Sequence, residues 1–150
     1  MTGVIWLVQV INYPLYKYLG VDNFTKYQTE HIARITPVVA PIMIIELFTS
    51  LGLISFLPHE LAQQNILYPL LINFTLVVLI WLATVSYSVP IHQNLKEGLD
   101  QKLYDKLLAT NWARTIAWTL RSAILIYLLL INSASLVELK KAASILSPSI

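Results

Sequence analysis

A carboxylate, Glu46, stands inside an almost wholly apolar run, Thr36-Pro-Val-Val-Ala-Pro-Ile-Met-Ile-Ile-Glu46-Leu47. An ionised group at membrane depth is costly unless it meets an opposite charge or a water-filled cavity. A later apolar stretch supplies the charge: Arg121, which shares a helix face with Arg114 and Trp118 by i+4 and i+3 spacing. Counted inward from the same end, Glu46 and Arg121 each lie ~14 Å deep at the helical rise per residue. The same count puts Gln9 and Asn12 of the first apolar stretch, and Trp81 and Thr84 of the third, in that layer. Two chemistries fit. Glu46 and Arg121 can form a structural clasp, with Gln9 and Asn12 completing its hydrogen bonds. Alternatively the layer, with Tyr13 and Trp118, forms a polar pocket for a lipophilic or anionic ligand.

A second group of candidates lies toward one end of the same helices: His31, Arg34, His92, Asn111 and Arg114. Two histidines with a carboxylate can hold a metal, and a histidine pair can ligate haem. His31 and His92 sit in no recognised ligand spacing, and Glu46 is ~22 Å along a straight helix from His31, beyond one coordination shell. The plainer reading is interfacial hydrogen bonding or proton exchange, with no metal or haem required. Arg114 and Arg121 could draw an anionic headgroup or carboxylate; a snorkelling Arg114 is the alternative. The chain has no cysteine, which removes disulfides, thiolate metal sites and cysteine nucleophiles. It carries no Gly-rich phosphate loop, no Ser/His/Asp arrangement and no internal repeat.

These groups need helices in lipid to position them. Of the 150 residues 57% are hydrophobic and 12% charged, a membrane-like balance, and a net charge of +2 gives no basic cluster for a nucleic-acid partner. Four segments reach the length of a spanning helix, about 2–20, 36–58, 65–90 and 112–134. The first has no basic leader and no small-residue cleavage pattern, so it reads as a retained span rather than a signal peptide. Its Trp6, Gln9, Asn12 and Tyr13 fall on one face, expected to point into the bundle. Gly20 reads as a helix stop, and Asp22 or Asn23 as the cap of a helix that runs into span two, bent at Pro37 and Pro41. Span three closes at Pro90. Leu95, Leu99, Leu103 and Leu107 then recur every four residues among charged ones, the pattern of an amphipathic helix in the membrane interface. Asn111 is the expected cap of span four, and His59 an ordinary loop residue.

The fold class expected is therefore all-α: one domain, an integral membrane four-helix bundle with a cytoplasmic amphipathic helix between spans three and four. Lysines and arginines crowd the two connections on one side, which puts those in the cytoplasm and both termini outside it.

Five motifs carry a resemblance: Trp6-x-x-Gln9-x-x-x-Tyr13-Pro14, Tyr27-x-x-x-His31-x-x-Arg34-Ile35, Pro41-x-x-x-x-Glu46-Leu47, Val89-Pro90-x-His92 and Asn111-Trp112-x-Arg114-Thr115-x-x-Trp118-x-x-Arg121. They resemble a group of small, functionally uncharacterised four-helix bacterial inner-membrane proteins, over most of the chain up to Ile131. More distantly, size and helix count look like the anthrone-oxygenase-like membrane proteins, some of which oxidise polycyclic aromatics. The resemblance implies the fold and a bacterial inner-membrane location. The leading functional expectation is a ligand-binding or accessory subunit in contact with membrane lipid and a lipophilic small molecule, as a homo-oligomer or part of a larger complex. The alternatives are a membrane oxidoreductase or oxygenase acting on a quinone-like or aromatic substrate, and a purely structural subunit.

Overall fold

The computed structural model describes residues 1–56 and 66–146, with side chains described at all of these except 21, 22 and 134–146. The described residues are helical apart from short turns and fall into four successive helical segments. α1 covers residues 2–18 and is composite: Thr2–Leu7, a π turn Val8–Asn12, Tyr13–Leu15 and a 3-10 turn Tyr16–Tyr18. α2 is Val21–Ser55, α3 is Leu67–Asn94 with a π turn at Thr84–Ser88, and α4 is Gln101–Leu146. α2, α3 and α4 each contain a stretch long and apolar enough to cross a membrane. α1 is shorter and packs mainly on α4, while α3 packs on both α2 and α4.

Local chemistry explains where the helices begin. Gly20 is extended and its carbonyl accepts from the backbone N–H of Asn23 and Phe24, starting α2. That helix continues through Pro37 and Pro41 as one element. Each proline removes one backbone bond, and both lie on the exposed face, a disposition long apolar helices tolerate. α3 likewise runs past Pro90, which stands just after the π turn and removes one backbone donor there.

The expected interfacial helix is not a separate element. The chain turns at Leu95–Asp100, where Gly98 takes a φ of 151°, and a single helix then runs from Gln101 through the fourth span. Its cap is Asp100, not Asn111: Asp100 Oδ1 accepts from Lys102 N at 2.8 Å and Leu103 N at 3.1 Å. The leucine periodicity was a real signal of a buried stripe. Leu95 and Leu107 are fully buried and pack with Tyr16, Phe24 and Tyr104, so the stripe faces protein rather than the interface. The Pro58-His59-Glu60 segment lies outside the described residues.

Burial runs inside out. Leu7, Phe48, Leu79, Leu82, Leu120 and Leu129 are exposed, while Gln9, Gln28, Asn73, Asn111, Arg114, Thr115 and Arg121 are buried. Apolar chains outward and paired polar chains inward is the arrangement that suits helices packed in lipid.

Candidate functional site

Two polar layers, not one, cross the bundle. In the first, Arg121 Nη1 lies 2.9 Å from Glu46 Oε2. Trp118 Nε1 donates to the same carboxylate oxygen at 2.8 Å. Arg121 Nη2 donates to Ser50 Oγ at 3.1 Å and Nε to Asn73 Oδ1 at 3.5 Å. Asn73 Nδ2 returns a bond to the Arg121 carbonyl at 3.4 Å. The Met1 amino group stands 3.4 Å from Glu46 Oε1. Each of the three nitrogens of the Arg121 guanidinium therefore meets an acceptor, as suits a buried cation.

Gln9 and Asn12 do not take part in this clasp. Met1, not the middle of α1, stands at the level of Glu46, so Gln9 lies ~12 Å further along the axis. There it accepts from Asn111 Nδ2 at 2.6 Å. Asn12 is partly buried, and its Oδ1 has no hydrogen-bond partner among the described residues. Trp6 also leaves the expected face: it is 40% exposed, stacks edge-on against Trp112 at 5.6 Å and donates to Thr119 Oγ1 at 3.0 Å. The π turn after Leu7 widens the helix and turns the later side chains relative to the earlier ones, so Gln9 and Tyr13 face in while Trp6 faces out.

The second layer gathers Arg114, Asn111, Gln9, Thr84, Tyr13 and His92. Arg114 does not snorkel. It is 7% exposed, and its Nη2 donates to Asn111 Oδ1 and its Nη1 to Thr84 Oγ1 at 3.3 Å. It also interacts electrostatically with Tyr13. All these partners are neutral; no carboxylate among the described residues pairs with Arg114, and its Nε has no hydrogen-bond partner there. Thr84 thus belongs to the Arg114 layer, while Trp81 packs beside the apolar cluster of Ile5, Met43, Ile80 and Trp118.

The rings of His31 and His92 lie with centroids 5.9 Å apart. Gln28 Nε2 lies 2.8 Å from His92 Nδ1 and 3.4 Å from the His92 carbonyl. A carbonyl only accepts, so the amide nitrogen donates to both and the His92 proton sits on Nε2, 3.0 Å from Tyr13 Oη. Both nitrogens of His92 are thus engaged, and a metal there would have to displace Tyr13 or Gln28. Among the described residues no group of three His, Cys, Asp or Glu side chains is placed to hold an ion. His31 is partly buried, stacked on Tyr27. Arg34 does not join it: it turns outward and pairs with Glu30 at 3.1 Å.

Between α1, α2 and α3, closed at the back by α4, lies a cavity of about 240 Å³. Val4, Ile5, Val8, Ile35, Val39, Met43, Val85 and Val89 give it aliphatic walls. Trp81 and Trp118 line one end; Tyr13, His31, His92, Ser88, Asn111 and Arg114 line the other. Of the expected pocket residues Tyr13, Trp81, Thr84 and Trp118 line it, whereas Gln9, Asn12, Glu46 and Arg121 do not. Four residues of these layers stood outside the expected sets. Ser50 and Asn73 complete the clasp, Gln28 orients His92, and Ser88 sits buried on the cavity wall. The available signal was a polar residue in an otherwise apolar run, which Asn73, Ser50 and Ser88 share.

Fold and site together define an all-helical protein with three helices able to cross a membrane and a partly open cavity between its helices, apolar along its walls and polar at one end. Compared with known proteins, the chain matches no family model, no curated protein and no solved structure.

Proposed function

We propose that this chain is an integral membrane protein, a bundle of α2, α3 and α4 with α1 embedded against them, that binds a lipophilic small molecule in the cavity. One observation carries the reading: the cavity has aliphatic walls yet ends in buried polar groups whose hydrogen-bonding capacity is not used up. Ligand sites have this composition, apolar surface for affinity and a few convergent polar groups for orientation. A purely structural interior would satisfy those groups internally. The apolar outer surface supports insertion in lipid. The lysines and arginines around the α1–α2 and α3–α4 turns support a cytoplasmic position for those turns and outward termini, and the motif resemblance supports a bacterial inner membrane. A role as an accessory subunit of a larger membrane complex fits the same site.

A second reading rests on the chain Gln28–His92–Tyr13, which ends at the cavity. Its His92–Tyr13 link can pass a proton to or from a bound quinone or phenol, the service a membrane oxidoreductase or oxygenase needs, while Gln28 orients the imidazole and does not relay. The experiment that separates the readings is purification in native lipid, followed by an absorption spectrum, elemental analysis and mass spectrometry of extracted small molecules. A retained colourless amphiphile supports ligand binding. A chromophore or stoichiometric metal supports the second reading. Bulk lipid alone contradicts both.

A further inference from the structure

Arg121 and Arg114 are both buried on one face of α4, but only Arg121 has a carboxylate. Arg114 is held by neutral oxygens, and two residues that line the cavity each keep a spare buried donor: Arg114 Nε–H and the hydroxyl of Ser88 have no hydrogen-bond partner among the described residues. A buried cation without a counter-charge is unfavourable, and unpaired donors on two cavity-lining residues suit an anionic oxygen. The shape of the cavity adds a second constraint. Its lining on α3 runs from Trp81 to Ser88, ~10 Å along the helix with aliphatic residues between the two ends, so an occupant that reaches both ends lies along the helix axes.

Resting on the ligand-binding reading above, we propose that the occupant is a single-chain aliphatic carboxylate of medium length. Its head is held by Arg114 and Ser88, and its chain lies toward Met43, Trp81 and Trp118. The carboxylate supplies the charge that Arg114 lacks, as Glu46 does for Arg121. The head is read by charge and the chain by fit.

The two tryptophans at the apolar end make the test direct. Trp6 and Trp112 are replaced by Phe, so that of the chain's four tryptophans only Trp81 and Trp118 remain. The variant in nanodiscs is then titrated with 8-bromooctanoate, 8-bromooctanamide and 6-bromo-2-naphthoate, each of which quenches indole fluorescence on contact. The expected result is saturable quenching by the octanoate, at least ten-fold weaker binding of the amide, and weaker binding of the naphthoate. Arg114→Gln should erase the preference for acid over amide, Arg114→Lys should keep part of it, and Ser88→Ala should weaken the acid several-fold with the fold intact. Equal saturable binding of acid and amide, or a preference that survives Arg114→Gln, would overturn the anionic head. A naphthoate that binds more tightly than the octanoate would overturn the slender chain. Non-saturable quenching by all three would show that the cavity takes no ligand and remove the underlying reading with it.

Discussion

The Glu46 carboxylate is shared: its Oε2 accepts from Trp118 Nε1 at 2.8 Å and faces Arg121 Nη1 at 2.9 Å. One group on α2 thereby holds two successive turns of α4, and Asn73 and Ser50 tie α3 and α2 to the same arginine. Losing Glu46 leaves the buried Arg121 without its carboxylate, and losing Arg121 leaves Glu46 with the Met1 amino group as its remaining cationic partner. Glu46→Gln and Arg121→Leu should each destabilise the protein by about 3 kcal/mol, the lower end for a buried pair because Glu46 is 23% exposed. The double variant should recover much of that loss. Unfolding midpoints in mixed detergent measure all three, and strictly additive losses would contradict a clasp.

The Asn111 side chain bridges Gln9 of α1 and Arg114 of its own helix. Asn111→Leu strands Gln9 Oε1 and a guanidinium N–H in a buried site, each worth about 1–3 kcal/mol when desolvated and unpaired. Thermal unfolding should show the loss. Proteolysis should show earlier cleavage within α1 than within α4, because α1 loses its polar anchor.

Asp100 and Gly98 set the entry to α4. Asp100→Ala should cost about 1 kcal/mol by removing two backbone caps. Gly98→Ala should cost about 1–3 kcal/mol by forcing a side chain onto a φ of 151°. If residues 101–111 instead formed a separate interfacial helix, Leu107→Asn would be tolerated. With Leu107 fully buried, that change should be among the most damaging in the chain, and expression and thermal stability check it.

The Glu46–Arg121 pair was legible in the sequence because opposite charges in two apolar runs leave each other few alternatives. The continuous helix through Pro37 and Pro41 was legible too. Depth in α1 was not, since counting from its end assumes that it crosses the bundle in register with the others, whereas Met1 stands at the Glu46 level. A π turn has no compositional signature, so the split between Trp6 and Gln9 could not be read from spacing. Asp100 and Asn111 are both good cap types. The choice between them falls to tertiary packing of Leu103, Tyr104 and Leu107, which the leucine period announces without saying what covers it. Gln28 sits among Lys26, Thr29 and Glu30 and reads as solvated; only the approach of His92 from α3 makes it a buried partner.

Tyr13 Oη and Gln28 Nε2 hold His92 from opposite sides. Tyr13→Phe should cost about 1 kcal/mol by leaving His92 Nε2–H without its acceptor. Gln28→Leu should cost more, because it bares both His92 Nδ1 and the His92 carbonyl. Nitrogen chemical shifts of the His92 ring should show the Nε2–H form in the parent protein and a mixture in Gln28→Leu. A mixture in the parent would contradict the assigned hydrogen bonds.

The central claim is that the cavity between α1, α2 and α3 holds a ligand. Ala40 lines it from α2 and lies outside both polar layers, so Ala40→Trp fills the space and leaves the clasp and the Arg114 layer in place. The decisive comparison is mass spectrometry of small molecules retained by the parent and by Ala40→Trp, both purified from native membranes in the same way. The account predicts a lipophilic molecule retained near one per chain by the parent and lost from the filled variant. The same lipid profile from both would contradict it.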